Sequence, residues 1–298
     1  MKVLITGANG LIGQHIGILL LKSNDIKLLP TGIGESRVKD FEKIYQKLDI
    51  SNTSKLKSFL KFENPDIVIN CAAISHVDTC EEFPDKCLNV NVNGVKNLVD
   101  SLKSNSKLIH LSSDFVFDGT SLNYKENDKT NPLSVYGKSK LQAEEYIQQN
   151  FINHQIIRTV LVFGFGENLS RNNILTWVYS SLSQNKKIKV VNDQVRKPTY
   201  VKDLAKAIFE LMVIKQNSTF HISGEEEISI FQLAKKVADV YSFDKNLISS
   251  ISSKSLNELG KRPPITGFNL DKISSIINYK PQSITNALID SKNGLIHI

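Results

Sequence analysis

The 298 residues, 41% of them hydrophobic, suffice for one large core or for a larger unit with a smaller one appended, and they exclude a disordered chain. The longest apolar runs, such as residues 16–21 and 159–163, fall far short of the roughly 20 residues that cross a bilayer. The net charge of +7 comes from scattered lysines with no basic block and no interleaved aromatics, which argues against nucleic acid as a partner and fits a solvated surface.

The chain opens with a predicted strand over Val3–Thr6 and a helix over Leu11–Lys22. Gly7, Asn9, Gly10 and Gly13 break this apolar stretch where a signal peptide would continue, so it reads as structure. Strands follow over Ile26–Leu29 and Lys43–Leu48, then a helix over Thr53–Lys61, a strand over Ile67–Asn70 and a helix over Asp85–Lys103. A strand over Leu108–Ser112, a helix over Ser134–Gln149 and a strand over Gln155–Val162 complete the alternation. Short apolar runs alternating with helical segments mark a parallel sheet with crossover helices, so the fold class is α/β: a Rossmann-type doubly wound sheet.

Beyond Gly166 the order loosens into a helix over Asn173–Leu182, a short strand near Ile188, a helix over Val201–Met212, a strand over Thr219–Ile222 and a helix over Ser229–Tyr241. Pro263, Pro264 and Ser-rich stretches make the remainder read as a small, irregular, loop-rich unit. The organisation expected is a nucleotide-binding domain over residues 1–163, with 194–222 returning to it, and a smaller C-terminal α/β domain over 164–193 and 223–298. Cys71, Cys80 and Cys87, an odd number without a CxxC pair, indicate neither a disulfide framework nor a zinc site, and a reducing, cytoplasmic setting fits them.

Three local patterns carry chemistry. Gly7-Ala8-Asn9-Gly10-Leu11-Ile12-Gly13 follows a predicted strand and opens a predicted helix, where backbone can approach a pyrophosphate and helix amides face the anion; an ordinary glycine-rich turn is the alternative. The second strand ends without a carboxylate for ribose hydroxyls, and Ser36 and Arg37 follow, so a 2′-phosphate is accommodated and NADP(H) is favoured over NAD(H). Tyr136 and Lys140 stand four residues apart on one helix face, where an ammonium lowers the cost of ionising a phenol that ordinarily titrates near 10. That spacing is common on amphipathic helices, and Ser113 after the fifth strand could merely terminate it; the order of the three patterns gives them weight.

At these residues the chain resembles an extended short-chain dehydrogenase/reductase and is most similar to the dTDP-4-dehydrorhamnose reductase family. The likeness runs through TGANGLIG at Thr6, Cys71-Ala72-Ala73, HVDTCEEFP at His76 and SSDFVFDGT at Ser112. It continues in NPLSVYGKSK at Asn131, RTVLVFG at Arg158, NDQVRKPTYVKDLA at Asn192 and RPPITGFNLDKI at Arg262. The resemblance implies a reductase of a nucleotide-linked 4-keto-6-deoxy sugar, with Ser113, Tyr136 and Lys140 catalytic. It sets Gly7, Asn9, Gly10, Leu11, Ile12, Gly13 and Arg37 at the cofactor, Asp49 and Ile50 by its adenine, and Cys71, Ala72 and Ala73 along its groove. Asn91 would steady the site. His76, Val77, Asp78, Ser113 and Asp114 would border the sugar, and Asn173, Arg196 and Thr199 the phosphates or base.

A metal site at His76-x-Asp78-x-Cys80 is not expected, because no second ligand cluster matches it. His15 stands where bacterial members of the family often carry a glutamate of a magnesium-bridged dimer, and Leu161 where many have a tryptophan; a homodimer stays compatible with the resemblance. Two other readings remain open. One is an epimerase using the same tyrosine; Asp114-Phe115 lacks the Asp-Glu pair of dehydratases. The other is a non-catalytic NADP-binding subunit like that of methionine adenosyltransferase.

Overall fold

The computed structural model describes residues 1–295, so residues 296–298 of the C-terminal assignment lie outside the described part. Continuous apolar strands buried on both faces are what a helix-covered parallel sheet requires. Val3, Leu4 and Ile5 of the strand Lys2–Thr6 and Val68 and Ile69 of the strand Ile67–Asn70 are accordingly wholly buried. Seven strands form one sheet in the order Ser218–Ile222, His154–Thr159, Lys107–Ser113, Ile67–Asn70, Lys2–Thr6, Lys27–Gly32, Gln46–Lys47. Every neighbouring pair is parallel. The order runs outward both ways from Lys2–Thr6, so the crevice of the sheet opens at the C-terminal ends of that strand and Ile67–Asn70.

Helices Leu11–Leu21 and Val201–Leu211 cover one face of the sheet, and Thr53–Glu63, Gly94–Ser101 and Val135–Asn150 the other. A separate core gathers Phe163, Leu175, Val178, Tyr200 and Val201 with Leu233, Val237, Ile284 and Leu288. Residues 268–279 return to the core of the sheet through Phe268, Leu270, Ile273 and Tyr279.

Several elements differ from expectation. The second strand extends through Pro30 to Gly32, and the strand expected over Lys43–Leu48 shrinks to Gln46–Lys47. Burial of Phe41 against Gly17 draws the preceding residues into a 3₁₀ turn, Lys39–Phe41. The strand expected over Gln155–Val162 breaks at Leu161, whose φ is +33°, and Val162–Phe163 pairs instead with Thr199–Tyr200. The helix expected over Asp85–Lys103 is Pro84–Leu88, a π turn at Asn89–Asn93 and Gly94–Ser101. His76, Val77 and Asp78, expected to border the sugar, stand at the start of a helix, Val77–Glu82, capped by His76.

The C-terminal third is not loop-rich. Ile228–Ser229, Val195–Arg196, Ile265–Phe268 and Thr120–Tyr124 make a four-stranded sheet, Ile248–Ile251 pairs with Ile188–Val191, and helices Asp271–Ile277 and Ile284–Leu295 close the chain. Strands of two to five residues are too short to show a period of two.

Candidate active site

A cleft of about 580 Å³ opens at the crevice of the large sheet. Asn9, Gly10, Leu11, Ile12 and Gly13 line one end; Cys71, Ala73, Val77, Ser113, Asp114, Tyr136 and Lys140 line its middle. Arg196, Arg171, Gln194, Glu258 and Arg262 line it as well, and so does Asn173, which bonds Gly164 near Leu11.

The loop at the first end is built by close approach. Gly7 has φ +68°, and a Cβ there would lie 2.7 Å from the Ala72 backbone nitrogen. Only glycine takes both the backbone conformation and the contact. No side chain caps the helix Leu11–Leu21, so its first-turn amides are left for an anion at the cleft wall, an arrangement that fits a dinucleotide pyrophosphate. The Asn9 side chain pins the loop beyond the second strand: its Oδ1 accepts from the Arg37 amide at 2.9 Å, and its Nδ2 donates to the Glu35 carbonyl at 2.8 Å.

In the middle, two elements meet at a glycine. Ser134 caps the helix Val135–Asn150, and a Cβ on Gly137 would fall 2.2 Å from the Phe115 carbonyl. The helix therefore rests directly on the turn after Ser113. Phe115 also packs edge-on against Tyr136, with ring centroids 5.5 Å apart. Ser113 donates to Asp114 Oδ1 at 3.0 Å and accepts from the Phe115 amide at 3.2 Å, and its hydroxyl neighbours the Tyr136 phenol. Burial pushes the phenol above its ordinary range, with the Ser113 hydroxyl opposing it, so it stays protonated.

Lys140 is 2% exposed, and burial brings it down to about 8, against the pull of Glu144. Lys140 Nζ lies 3.2 Å from His110 Nε2. Cys71 is raised to about 12 by burial, and an inert thiol results. Asn91 ties the segment after Ile67–Asn70 to the helix Val135–Asn150: it bonds both backbone polar groups of Ile74 and donates to Ser139 Oγ at 3.0 Å.

Toward the far end, Asp114 Oδ2 accepts from Thr266 at 2.5 Å and faces Arg196 Nε at 4.0 Å. Burial pushes the carboxyl up and Arg196 opposes it. Arg196 itself lines the cleft with its guanidinium already committed to the carbonyls of Val195, Pro263 and Pro264. Asp78 forms a two-point pair with Arg262 at 2.9 and 3.2 Å and accepts from the Gly260 amide, so it fastens the 258–262 segment across the cleft. Asn173 caps the helix Ile174–Leu182 and donates to the Gly164 carbonyl.

Other expected site residues stand apart from the cleft. Thr199 is fully buried and donates to the Val160 carbonyl at 2.6 Å. Asp49 is exposed and accepts from its neighbour Ser51, and Ile50 is buried against Gly94. His76 turns to Thr79 as a helix cap, Ala72 contributes backbone against Gly7, and the Arg37 side chain lies on the loop that Asn9 holds. His15 Nε2 sits 2.7 Å from the Phe165 carbonyl, and Leu161 lines the cleft.

Sequence reasoning passed over Arg171, Gln194, Glu258 and Arg262. Arg262 lay inside a quoted motif, whereas Arg171 had no local signal. Among the described residues, Arg171 has no ion-pair partner.

Residues 1–294 match the family model described as RmlD substrate binding domain. A dTDP-4-dehydrorhamnose reductase from Aggregatibacter actinomycetemcomitans is 30% identical over 302 residues, covering 96% of this chain and 97% of that protein. Methionine adenosyltransferase 2 subunit beta from Bos taurus is 28% identical over 257 residues, covering 84% of this chain and 75% of that protein. The crystal structure of dTDP-4-dehydrorhamnose reductase from Bacillus anthracis in complex with NADP superposes with a TM-score of 0.86 at 27% identity, covering 98% and 99% of the two chains.

Proposed function

The chain belongs to the RmlD substrate binding domain family, and from that premise we propose that it is an NAD(P)H-dependent reductase of the keto group of a nucleotide-linked 4-keto-6-deoxy sugar. The observation that carries this reading is a protonated Tyr136 beside Ser113 in a cleft whose other end is an uncapped helix N-terminus. The bound nicotinamide supplies a hydride. Tyr136 holds the proton that the sugar C4 oxygen must gain, and Ser113 hydrogen-bonds that oxygen, so the two orient the carbonyl together. A phenol kept protonated suits donation, the direction that reduction requires. Lys140 directs its N–H groups into the cleft toward the cofactor ribose. Arg171, which has no ion-pair partner among the described residues, takes the diphosphate of the substrate.

NADPH is the preferred donor on this reading, because Arg37 follows the second strand and the anthracis reductase binds NADP. Glu35, also on that loop, is engaged with Lys47. The setting is cytoplasmic; among the described residues no helix is long and apolar enough to cross a membrane.

The test is incubation with a panel of 4-keto-6-deoxy sugar nucleotides and each reduced nicotinamide, following cofactor absorbance. Stoichiometric oxidation is expected, faster with NADPH. Interconversion of epimers without net cofactor consumption would show an epimerase instead. The likeness to the adenosyltransferase subunit supports a second reading, a regulatory subunit. Recovery of a methionine adenosyltransferase on this chain, with no turnover across the panel, would favour it.

A further inference from the structure

The second strand, Lys27–Gly32, ends at a position that carries no side chain. A Cβ on Gly32 would lie 3.8 Å from both the Ala8 nitrogen and the Gly7 Cα of the glycine loop, and 2.8 Å from the Tyr45 hydroxyl. In dinucleotide folds that prefer NAD, the end of this strand supplies a carboxylate that accepts from the ribose hydroxyls. Here the Tyr45 phenol takes the space instead. The turn after the buried Phe41 carries it there: the Phe41 carbonyl accepts from the Tyr45 amide at 2.8 Å, and Gln46–Lys47 then pairs with Thr31–Gly32.

The hydrogen bonds around the phenol run one way. A backbone N–H can only donate, so the Arg37 amide at 2.9 Å fixes the Asn9 oxygen toward itself. The Asn9 NH₂ is thereby turned to the Glu35 carbonyl and the Tyr45 hydroxyl, both at 2.8 Å. The phenol oxygen accepts from Asn9. Among the described residues its own proton finds only the Ile33 carbonyl, at 3.4 Å, beyond the usual range of an O–H donor. Burial pushes the phenol up to about 12, against the pull of Arg37, so that proton is retained. Glu35, the carboxylate of this loop, is paired with Lys47.

We propose that Tyr45 reads the 2′ position of the cofactor's adenosine ribose, donating its phenol proton to a 2′-phosphate and so selecting NADP(H). The inference rests on the dinucleotide part of the function proposed above and is independent of the sugar. A carboxylate at the strand end would accept, which suits free ribose hydroxyls and repels a phosphate. A phenol that already accepts from an amide offers the opposite polarity. A phosphate dianion only accepts, and a hydrogen bond to a charged acceptor is about twice as strong as one between neutral groups. Arg37, whose charge acts on the phenol, follows on the loop that Asn9 pins. Tyr45 supplies direction and Arg37 attraction.

The experiment is calorimetric titration of the full chain with two halves of the cofactor, adenosine 2′,5′-bisphosphate and 5′-AMP, which differ only in the 2′-phosphate. Tyr45→Phe keeps the ring and removes the donor. It is expected to weaken the bisphosphate by about tenfold or more, the loss of one hydrogen bond to a charged group, and to leave 5′-AMP nearly unchanged. Equal weakening of both fragments overturns the inference, since Tyr45 would then only brace the Asn9 loop, and so does unchanged binding of both. Gly32→Asp displaces the phenol and restores an acceptor at the strand end. It is expected to reverse the ranking of NADP⁺ and NAD⁺; a native ranking in this variant also overturns the inference. Should the bisphosphate respond as expected while no keto-sugar nucleotide is reduced, the sugar part of the functional proposal alone fails.

Discussion

Gly137→Ala tests how closely Tyr136 and Ser113, the proposed acid and carbonyl-binding hydroxyl, are held together. The added Cβ would lie 2.2 Å from the Phe115 carbonyl and 3.0 Å from Pro132 Cβ, where an ordinary carbon–oxygen contact is about 3.3 Å. The helix Val135–Asn150 and the turn after Ser113 must part by about 1 Å. Tyr136 rides on one and Ser113 on the other, so the pair opens by a similar amount. A misplacement of about 1 Å costs on the order of 10²-fold in rate. Overpacking costs about 1–3 kcal/mol, and alanine returns about 1 kcal/mol of helix propensity, so the variant should lose no more than about 2 kcal/mol and stay folded. The assay pairs thermal denaturation with kcat and cofactor Kd on whichever keto-sugar nucleotide the native protein reduces. A roughly hundredfold fall in kcat with near-native Kd is expected. Full turnover together with a raised Tm would refute the contact as the device that sets the site.

Tyr136→Phe should lower kcat/KM by about 10²–10⁴ with little change in Tm, because the ring keeps its packing on Phe115; retained activity would remove Tyr136 as the acid. Lys107 Nζ donates to the carbonyls of Leu211, Met212 and Ile214 at 2.7, 3.0 and 2.7 Å, closing the end of the helix Val201–Leu211. Lys107→Met leaves those carbonyls without that donor and should cost about 2–4 kcal/mol, seen as a fall of several degrees in Tm with native activity; an unmoved Tm would refute the cap. Lys140 gives up its proton near about 8, whereas an unfolded lysine does so near 10.4, so between these values the native chain binds fewer protons and its stability rises with pH. Lys140→Met should therefore be more stable than the native protein at neutral pH, by on the order of 3 kcal/mol, with the gap closing toward about pH 10; a gap independent of pH would refute the buried lysine.

The dinucleotide end of the site was legible because its determinants are local: Gly7 must turn and the helix must start uncapped within a few residues of sequence. Tyr136 and Lys140 were legible for the same reason, one helical turn fixing their common face. Tyr45 was not, since it reads as one position of the strand expected over Lys43–Leu48, and its place beside Gly32 follows from the turn at Lys39–Phe41. Arg171 was missed because its place at the cleft follows from how residues 164–173 turn, which no period announces. The short strands Val195–Arg196 and Ile228–Ser229 were invisible because pairing across the sheet, rather than any local propensity, defines them. Thr199 and Asp49 owed their expected roles to family likeness alone; in the structure Thr199 donates to the Val160 carbonyl and the exposed Asp49 accepts from the Ser51 amide.

The helix Val201–Leu211 begins in the smaller core with Val201 and ends in the larger with Leu204, Ile208 and Leu211. Neither half of the molecule owns it. Cleaving the chain after residue 163 would strip the sheet of a covering helix and of its outermost strand, Ser218–Ile222, while leaving the other fragment with an apolar stripe facing water. Melting should accordingly be a single cooperative event in which loss of the sugar end and loss of the nucleotide end coincide.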